Sequence, residues 1–137
     1  MTKQFWFNIP VKNLEKSKAF FNAIGFKANT QMPAADNMAS YFIGEQNVVM
    51  MLCDEMSFRN FSATEPTDTS RSSEVLFSID AESIKEVDEL TAKAVAAGEV
   101  STHTPTDMNG WMYGSLFTDL DGHRWNVLYM DMSKMNG

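Results

Sequence analysis

Apolar and polar positions form two similar series, about 70 residues apart in the chain. In the first, Phe5-Trp6-Phe7-Asn8-Ile9 is aromatic and β-branched with polar positions interleaved, which predicts a strand with one face buried and Gln4, Trp6 and Asn8 on the other. Pro10 is placed to close it. Asn13 suits an N-cap, and Leu14, Ser17, Phe20, Phe21 and Ile24 recur on one face of a helix that Gly25 can end in the left-handed conformation. Strands are then expected at Phe26 to Met32, Ala39 to Ile43 and Val48 to Leu52, the last two joined by a tight turn over Gly44-Glu45-Gln46-Asn47.

The second series repeats the scheme. Val75 to Ile79 reads as a strand, with Asp80 near the cap of a helix from Ile84 to Ala97 whose inner face holds Ile84, Val87, Leu90 or Thr91, and Ala94, with Gly98 as its stop. Val100 to Thr104, Gly110 to Thr118 and Arg124 to Met130 follow as strands. In the turn Asp119-Leu120-Asp121-Gly122, Gly122 can take positive φ and Asp119 can hydrogen-bond back to the chain. Core packing is the expected role of Phe5, Phe7, Phe77 and Trp125, whose alternation sets them opposite the polar face. Residues 53 to 72 break the rhythm: they are polar and rich in Ser and Thr, with Pro66, yet Phe58 and Phe61 stand at helical spacing around Arg59. Such a stretch is either a linker between repeats or a flap over a pocket. The expected organisation is one domain over residues 1–137, built of modules at about 1–56 and 72–137, with a site between them.

Composition narrows the function. The 137 residues are 44% hydrophobic, enough for one domain to bury a core. The lone Cys53 cannot form an internal disulfide, and no secretory leader or long apolar run is visible, so a cytoplasmic protein without a membrane partner is expected. A net charge of −7 with scattered Lys and Arg argues against nucleic acid. A cationic or neutral partner is easier for such a chain to accommodate, and acidity beside aromatic walls would suit a cationic planar ligand. Eleven methionines suit a core with adaptable packing or an adaptable apolar surface.

Two motifs carry a family resemblance. The opening Ile9-Pro10-Val11-Lys12-Asn13-Leu14-Glu15-Lys16-Ser17, with Phe20-Phe21 and Gly25-Phe26, and the closing Thr118-Asp119-Leu120-Asp121-Gly122-His123-Arg124-Trp125-Asn126-Val127 resemble the vicinal oxygen chelate superfamily, which contains glyoxalase I, extradiol dioxygenases and bleomycin resistance proteins. Within it the chain is similar to a bacterial group labelled predicted lactoylglutathione lyase. The resemblance implies an α+β fold of two βαβββ modules, sheets curving around a central cup with helices outside, commonly completed as a homodimer.

It also implies where a divalent metal would be held: at Trp6, Met51, Glu74 and Asn126. Catalytic metals need about three fixed N or O donors with positions left open for substrate. Trp6 cannot ligate, Met51 offers a soft thioether and Asn126 a weak carbonyl oxygen. Glu74 alone suits a hard cation, and neither His103 nor His123 falls at a ligand position. The expectation is therefore no metal and no cofactor, with a small molecule bound in the cup by Trp6, Asn8, Met51, Phe58, Phe61, Trp111, Tyr113 and Asn126. The alternatives are a lyase, isomerase or dioxygenase-related enzyme in which Glu74 is a catalytic acid or base, since a lone carboxylate in an apolar cup is desolvated and suited to proton transfer, or one with an incomplete metal site at Glu74. A cup plugged by Trp6 and Met51 would leave only a structural module.

Overall fold

In the computed structural model, which describes residues 1–33, 35–99 and 103–134, both predicted series fold as βαβββ. The first comprises β1 (Trp6–Val11), α1 (Leu14–Ala23), β2 (Lys27–Ala28), β3 (Met38–Ile43) and β4 (Val48–Asp54), followed by α2 (Glu55–Ser62). The second comprises β5 (Leu76–Asp80), α3 (Ile84–Ala96), β6 (Thr106–Met108), β7 (Met112–Thr118) and β8 (Arg124–Met130), closed by a 3-10 turn over Met132–Lys134. The chain divides into compact units at Met1–Asp68 and Thr69–Gly137. Each holds one four-stranded mixed sheet in the same order, β1-β4-β3-β2 and β5-β8-β7-β6, so first and last strands pair in parallel. The duplication expected from the hydrophobic pattern is thus a repeat of topology.

Local chemistry sets the first unit. Asn13 caps α1 by accepting from the Lys16 amide at 3.0 Å, and Gly25 continues past the helix at φ +97°. The inner face of α1 buries Leu14, Ser17, Phe20 and Phe21. Phe21 packs on Tyr41 of β3 at 5.9 Å between ring centroids, and the Tyr41 hydroxyl donates to Asn22 Oδ1 at 2.9 Å. Burial, reinforced by the negative charge of Glu15, pushes the Tyr41 phenol up to about 12, so it remains a neutral donor that fastens helix to sheet.

Pro10 does not close the first strand. It lies within β1 opposite Cys53, and this is tolerated because β1 is an edge strand and needs no amide on its outer side. Phe5 precedes the strand and is 72% exposed, so the core role expected for it is not realised. The strand expected over Phe26 to Met32 shrinks to Lys27–Ala28: the Asn29 side chain accepts from the Gln31 amide at 3.1 Å and turns the chain away. The supposed linker begins with a helix. Asp54 ends β4 and caps α2 by accepting from the Ser57 amide at 2.8 Å, and the Ser57 hydroxyl first, with that amide, holds the Asp54 carboxyl below its ordinary range.

In the second unit Trp125 is the centre of the core. It stacks on Phe117 at 6.0 Å and 2° between planes, and meets Phe77 at 4.7 Å. Val87, Thr91 and Ala94 of α3 are buried, but Ile84, at the first helical position, is half-exposed. Ser83, not Asp80, caps α3 by accepting from the Glu86 amide at 3.1 Å, since Asp80 is still paired in β5. The expected strand at Val100 to Thr104 falls partly outside the described residues; the short strand that pairs with β7 is Thr106–Met108.

The turn between β7 and β8 is built as its sequence implied. Gly122 takes φ +84°, and a β-carbon there would stand 2.7 Å from Thr69 Oγ1, whose hydroxyl donates to the Asp121 carbonyl. Gly122→Ala therefore combines an unfavourable backbone conformation with a clash, and a loss of about 2 kcal/mol is expected in urea unfolding. A loss below about 0.5 kcal/mol would show that the turn gives way easily.

Candidate functional site

Alternation of side chains decides what each sheet offers. In the first unit the odd rung Phe7, Met50 and Tyr41 faces α1, so Trp6, Asn8, Val49, Met51, Ser40 and Phe42 share the opposite face. That face bears a groove of about 950 Å³. Trp6 and Phe5 form one wall with Phe42 and Phe61 among the other lining groups, and Met51 supplies buried thioether floor. Trp6 is 55% and Phe61 67% exposed, so rings stand in solvent beside a concave surface. An adjoining recess of about 400 Å³ shares Asn29, Met32, Met38 and Met51 with it.

Four of the residues singled out from sequence, Trp6, Asn8, Met51 and Phe61, are therefore brought together here. Phe58 is half-buried on α2 and does not line the groove. The remaining candidates belong to the second unit. Asn126 faces away from α3 and its amide donates to Ser78 Oγ at 3.4 Å. Tyr113 lies on the other side of that sheet, where its hydroxyl donates to Asp88 of α3 at 2.6 Å, and the Asp88 carboxylate holds the phenol above its ordinary range. Tyr113 and Asn126 cannot line one surface of the sheet, because positions 113 and 126 fall on opposite faces. Trp111 immediately precedes β7 and is half-buried.

Sequence reasoning placed Gln4 and Asn8 on this face but passed over the rest of its polar half. Asn29, Gln31, Gln46, Asn47 and Lys3 line the groove with them, without a carboxylate among the described lining residues. Asn29 is held by Ser40, donating to its Oγ at 3.1 Å. The side-chain amides of Gln4, Asn8, Gln31 and Gln46 make no hydrogen bond to protein among the described residues. Alternation of Met38, Ser40 and Phe42 on β3 was the available signal for that wall, but glutamines in loops carry none.

Glu74 stands two residues ahead of β5 and is exposed. The burial on which an acid–base role depended is missing. Cys53 is fully buried, its thiol donating to the Ile9 carbonyl at 3.6 Å, and burial with the neighbouring Asp54 charge pushes it up to about 11, which keeps it from acting as a nucleophile. The strongly perturbed carboxyl is Asp119, 1% exposed. Burial raises it to about 6 against the opposing pull of His123 and of the Trp125 indole, which donates to Oδ2 at 3.2 Å; Oδ1 accepts from the Asp121 and His123 amides at 3.0 Å each. This carboxyl is locked in a turn, and every contact it makes is structural.

The sequence pattern of the glyoxalase/bleomycin resistance protein/dioxygenase superfamily matches residues 3–127. The chain belongs to this superfamily. Among solved structures, a hypothetical protein from S. aureus is 35% identical, with 94% of each chain covered and a TM-score of 0.81. A glyoxalase-related enzyme from Fulvimarina pelagi is 18% identical over 93% of this chain and 88% of its own, at a TM-score of 0.77. An antibiotic-binding protein from Streptomyces is 19% identical over 95% and 97%, at 0.66. The last two share the fold alone. No curated protein matches the sequence.

Enzymes and binders therefore share this glyoxalase scaffold, and the donor set has to speak for the metal. Of the four positions that resemblance assigns to ligands, Trp6 and Met51 line the groove with an indole and a thioether, Asn126 is an amide bonded to Ser78, and Glu74 is an exposed carboxylate. Among the described residues no three His, Cys, Asp or Glu side chains gather into a metal-holding group. These residues do not fit a divalent catalytic ion. No described helix is long and apolar enough to cross a membrane.

Proposed function

We propose that this superfamily member is a small-molecule-binding protein that uses no metal or other cofactor, with the ligand seated on the open face of the N-terminal sheet. The observation that carries this reading is the groove of about 950 Å³, of the size that holds drug-sized ligands, walled by Trp6, Phe42, Phe61 and Met51 and rimmed by amides. Aromatic rings and a thioether give adaptable apolar contact, while carboxamides fix orientation. Such a surface binds without assisting bond making or breaking, because it presents neither nucleophile nor buried acid. A cytoplasmic homodimer is part of the proposal. Exposed Phe5, Val75 and Leu76 are apolar side chains that a partner chain would cover, and light scattering is expected to give twice 15.4 kDa.

The test is isothermal titration of EDTA-dialysed protein with 2-naphthamide, a flat neutral probe carrying one amide. Saturable heat at one site per chain is expected. Heat that appears only after a divalent ion is restored would contradict the proposal. Glu74→Gln is expected to leave both the affinity for this probe and the unfolding midpoint unchanged within error, because the carboxylate is exposed outside the groove. A ten-fold loss of affinity would return Glu74 to the site.

A further inference from the structure

The acidity of the chain does not belong to its groove. Residues 1–68 carry six Lys or Arg against seven Asp or Glu, whereas residues 69–137 carry five against eleven. The first unit is thus nearly neutral and the second holds most of the charge of −7. Screening confines a charge's influence to about 8 Å at physiological ionic strength, so a ligand feels the lining and its immediate chain neighbours, among which Glu45, next to Gln46, is the one carboxylate. The lining has Lys3 and no carboxylate, and the adjoining recess has Lys18, itself paired with Glu15 at 3.5 Å, and again no carboxylate.

Aromatic faces can compensate for missing carboxylates when a site takes a cation, but one of them is already engaged. Lys27 Nζ sits 5.8 Å from the centroid of Phe42, which lines the groove. A second cation over that ring would meet Lys27. The side-chain amides of Gln4, Asn8, Gln31 and Gln46, unbonded among the described residues, each present an NH2 group that suits carbonyl, hydroxyl or carboxylate oxygen, and their own oxygens suit N–H and O–H donors.

We propose that the groove selects planar aromatic ligands that are neutral or singly anionic and carry oxygen or amide groups, and that it discriminates against cations. This rests on the binding function proposed above and departs from the cationic planar ligand expected from acidity and aromatic walls. Three probes of one size separate the possibilities: 2-naphthoate, 2-naphthamide and 2-naphthylmethylammonium, each titrated while the Trp6 indole N–H resonance is followed by NMR, that resonance being assigned with Trp6→Phe. Naphthoate and naphthamide are expected to bind at least ten-fold more tightly than the ammonium. Combining Lys3→Glu with Lys27→Glu, both at exposed positions, is expected to reverse the order of the two charged probes. Equal or tighter binding of the ammonium, or an unchanged order in the double variant, would overturn the selectivity while leaving the binding function standing. Failure of all three probes to shift the Trp6 resonance at millimolar concentration would overturn the binding function itself.

Discussion

Asp119→Ala is expected to destabilise the protein by about 3 kcal/mol, the cost of leaving buried donors without an acceptor, and to lower the thermal midpoint by roughly 10 °C. The Asp119 carboxylate, buried within a half-exposed turn, receives the Asp121 amide, the His123 amide and the Trp125 indole at 3.0 to 3.2 Å. Truncation orphans all three donors and loosens the indole that stacks on Phe117 and Phe77. Urea unfolding followed by tryptophan fluorescence measures the loss. A change under 1 kcal/mol would mean that water replaces the carboxylate without penalty.

The same group makes stability depend on pH with a definite sign. Its folded value, about 6, lies above the ordinary 3.8, so the folded state holds the proton more tightly than the unfolded chain does. Its contribution is therefore greatest below pH 3.8 and is lost as pH rises to about 6. On the order of 2–3 kcal/mol is at stake for a group this deeply buried. Asp119→Asn removes the titration, and the difference in stability between wild type and variant is expected to move against the wild type between pH 4 and 6. A difference that stays constant across this range would show that the carboxyl does not titrate there.

Trp6→Ala is expected to weaken 2-naphthamide binding at least thirty-fold, about 2 kcal/mol, while changing stability by less than 1 kcal/mol. Truncation removes the largest flat surface in the groove, and a side chain 55% exposed contributes little to folding. Phe61→Ala, at the groove's more open side, is expected to cost only a few-fold. Titration calorimetry measures both. Equal losses in affinity and stability would make Trp6 a packing residue with no separate role in recognition.

How much of this was legible beforehand follows from which signals are local. Asn13, Gly25 and the Leu14, Phe20, Phe21 spacing act within one or two turns of chain, and α1 formed where they placed it. Pro10 misled because its meaning depends on whether β1 is an edge strand, a fact of topology. Asp80 looked like a cap and is a strand residue, because pairing with Leu128 extends β5 by one position and the cap passes to Ser83. Period-two alternation placed Trp6 and Asn8 on one face, and Met51, which the family resemblance supplied, shares it. Tyr113 and Asn126, the latter supplied by the resemblance, lie on opposite faces, a relation that depends on the register between two strands, and alternation failed for Phe5, which lies beyond the strand's end. Net charge is a different kind of signal: it carries no position, and the carboxylates lie mostly in the other unit from the groove.

The central claim is that the open face of the N-terminal sheet is a ligand site that works without metal. Its most direct test is to map the resonances perturbed by 2-naphthamide in isotope-labelled protein kept in EDTA. Shifts concentrated at the Trp6 indole, the Asn8 amide and the Met51 methyl group, unchanged when zinc, nickel or manganese replaces the chelator, are the predicted result. Shifts elsewhere, or none until a metal is added, would contradict it.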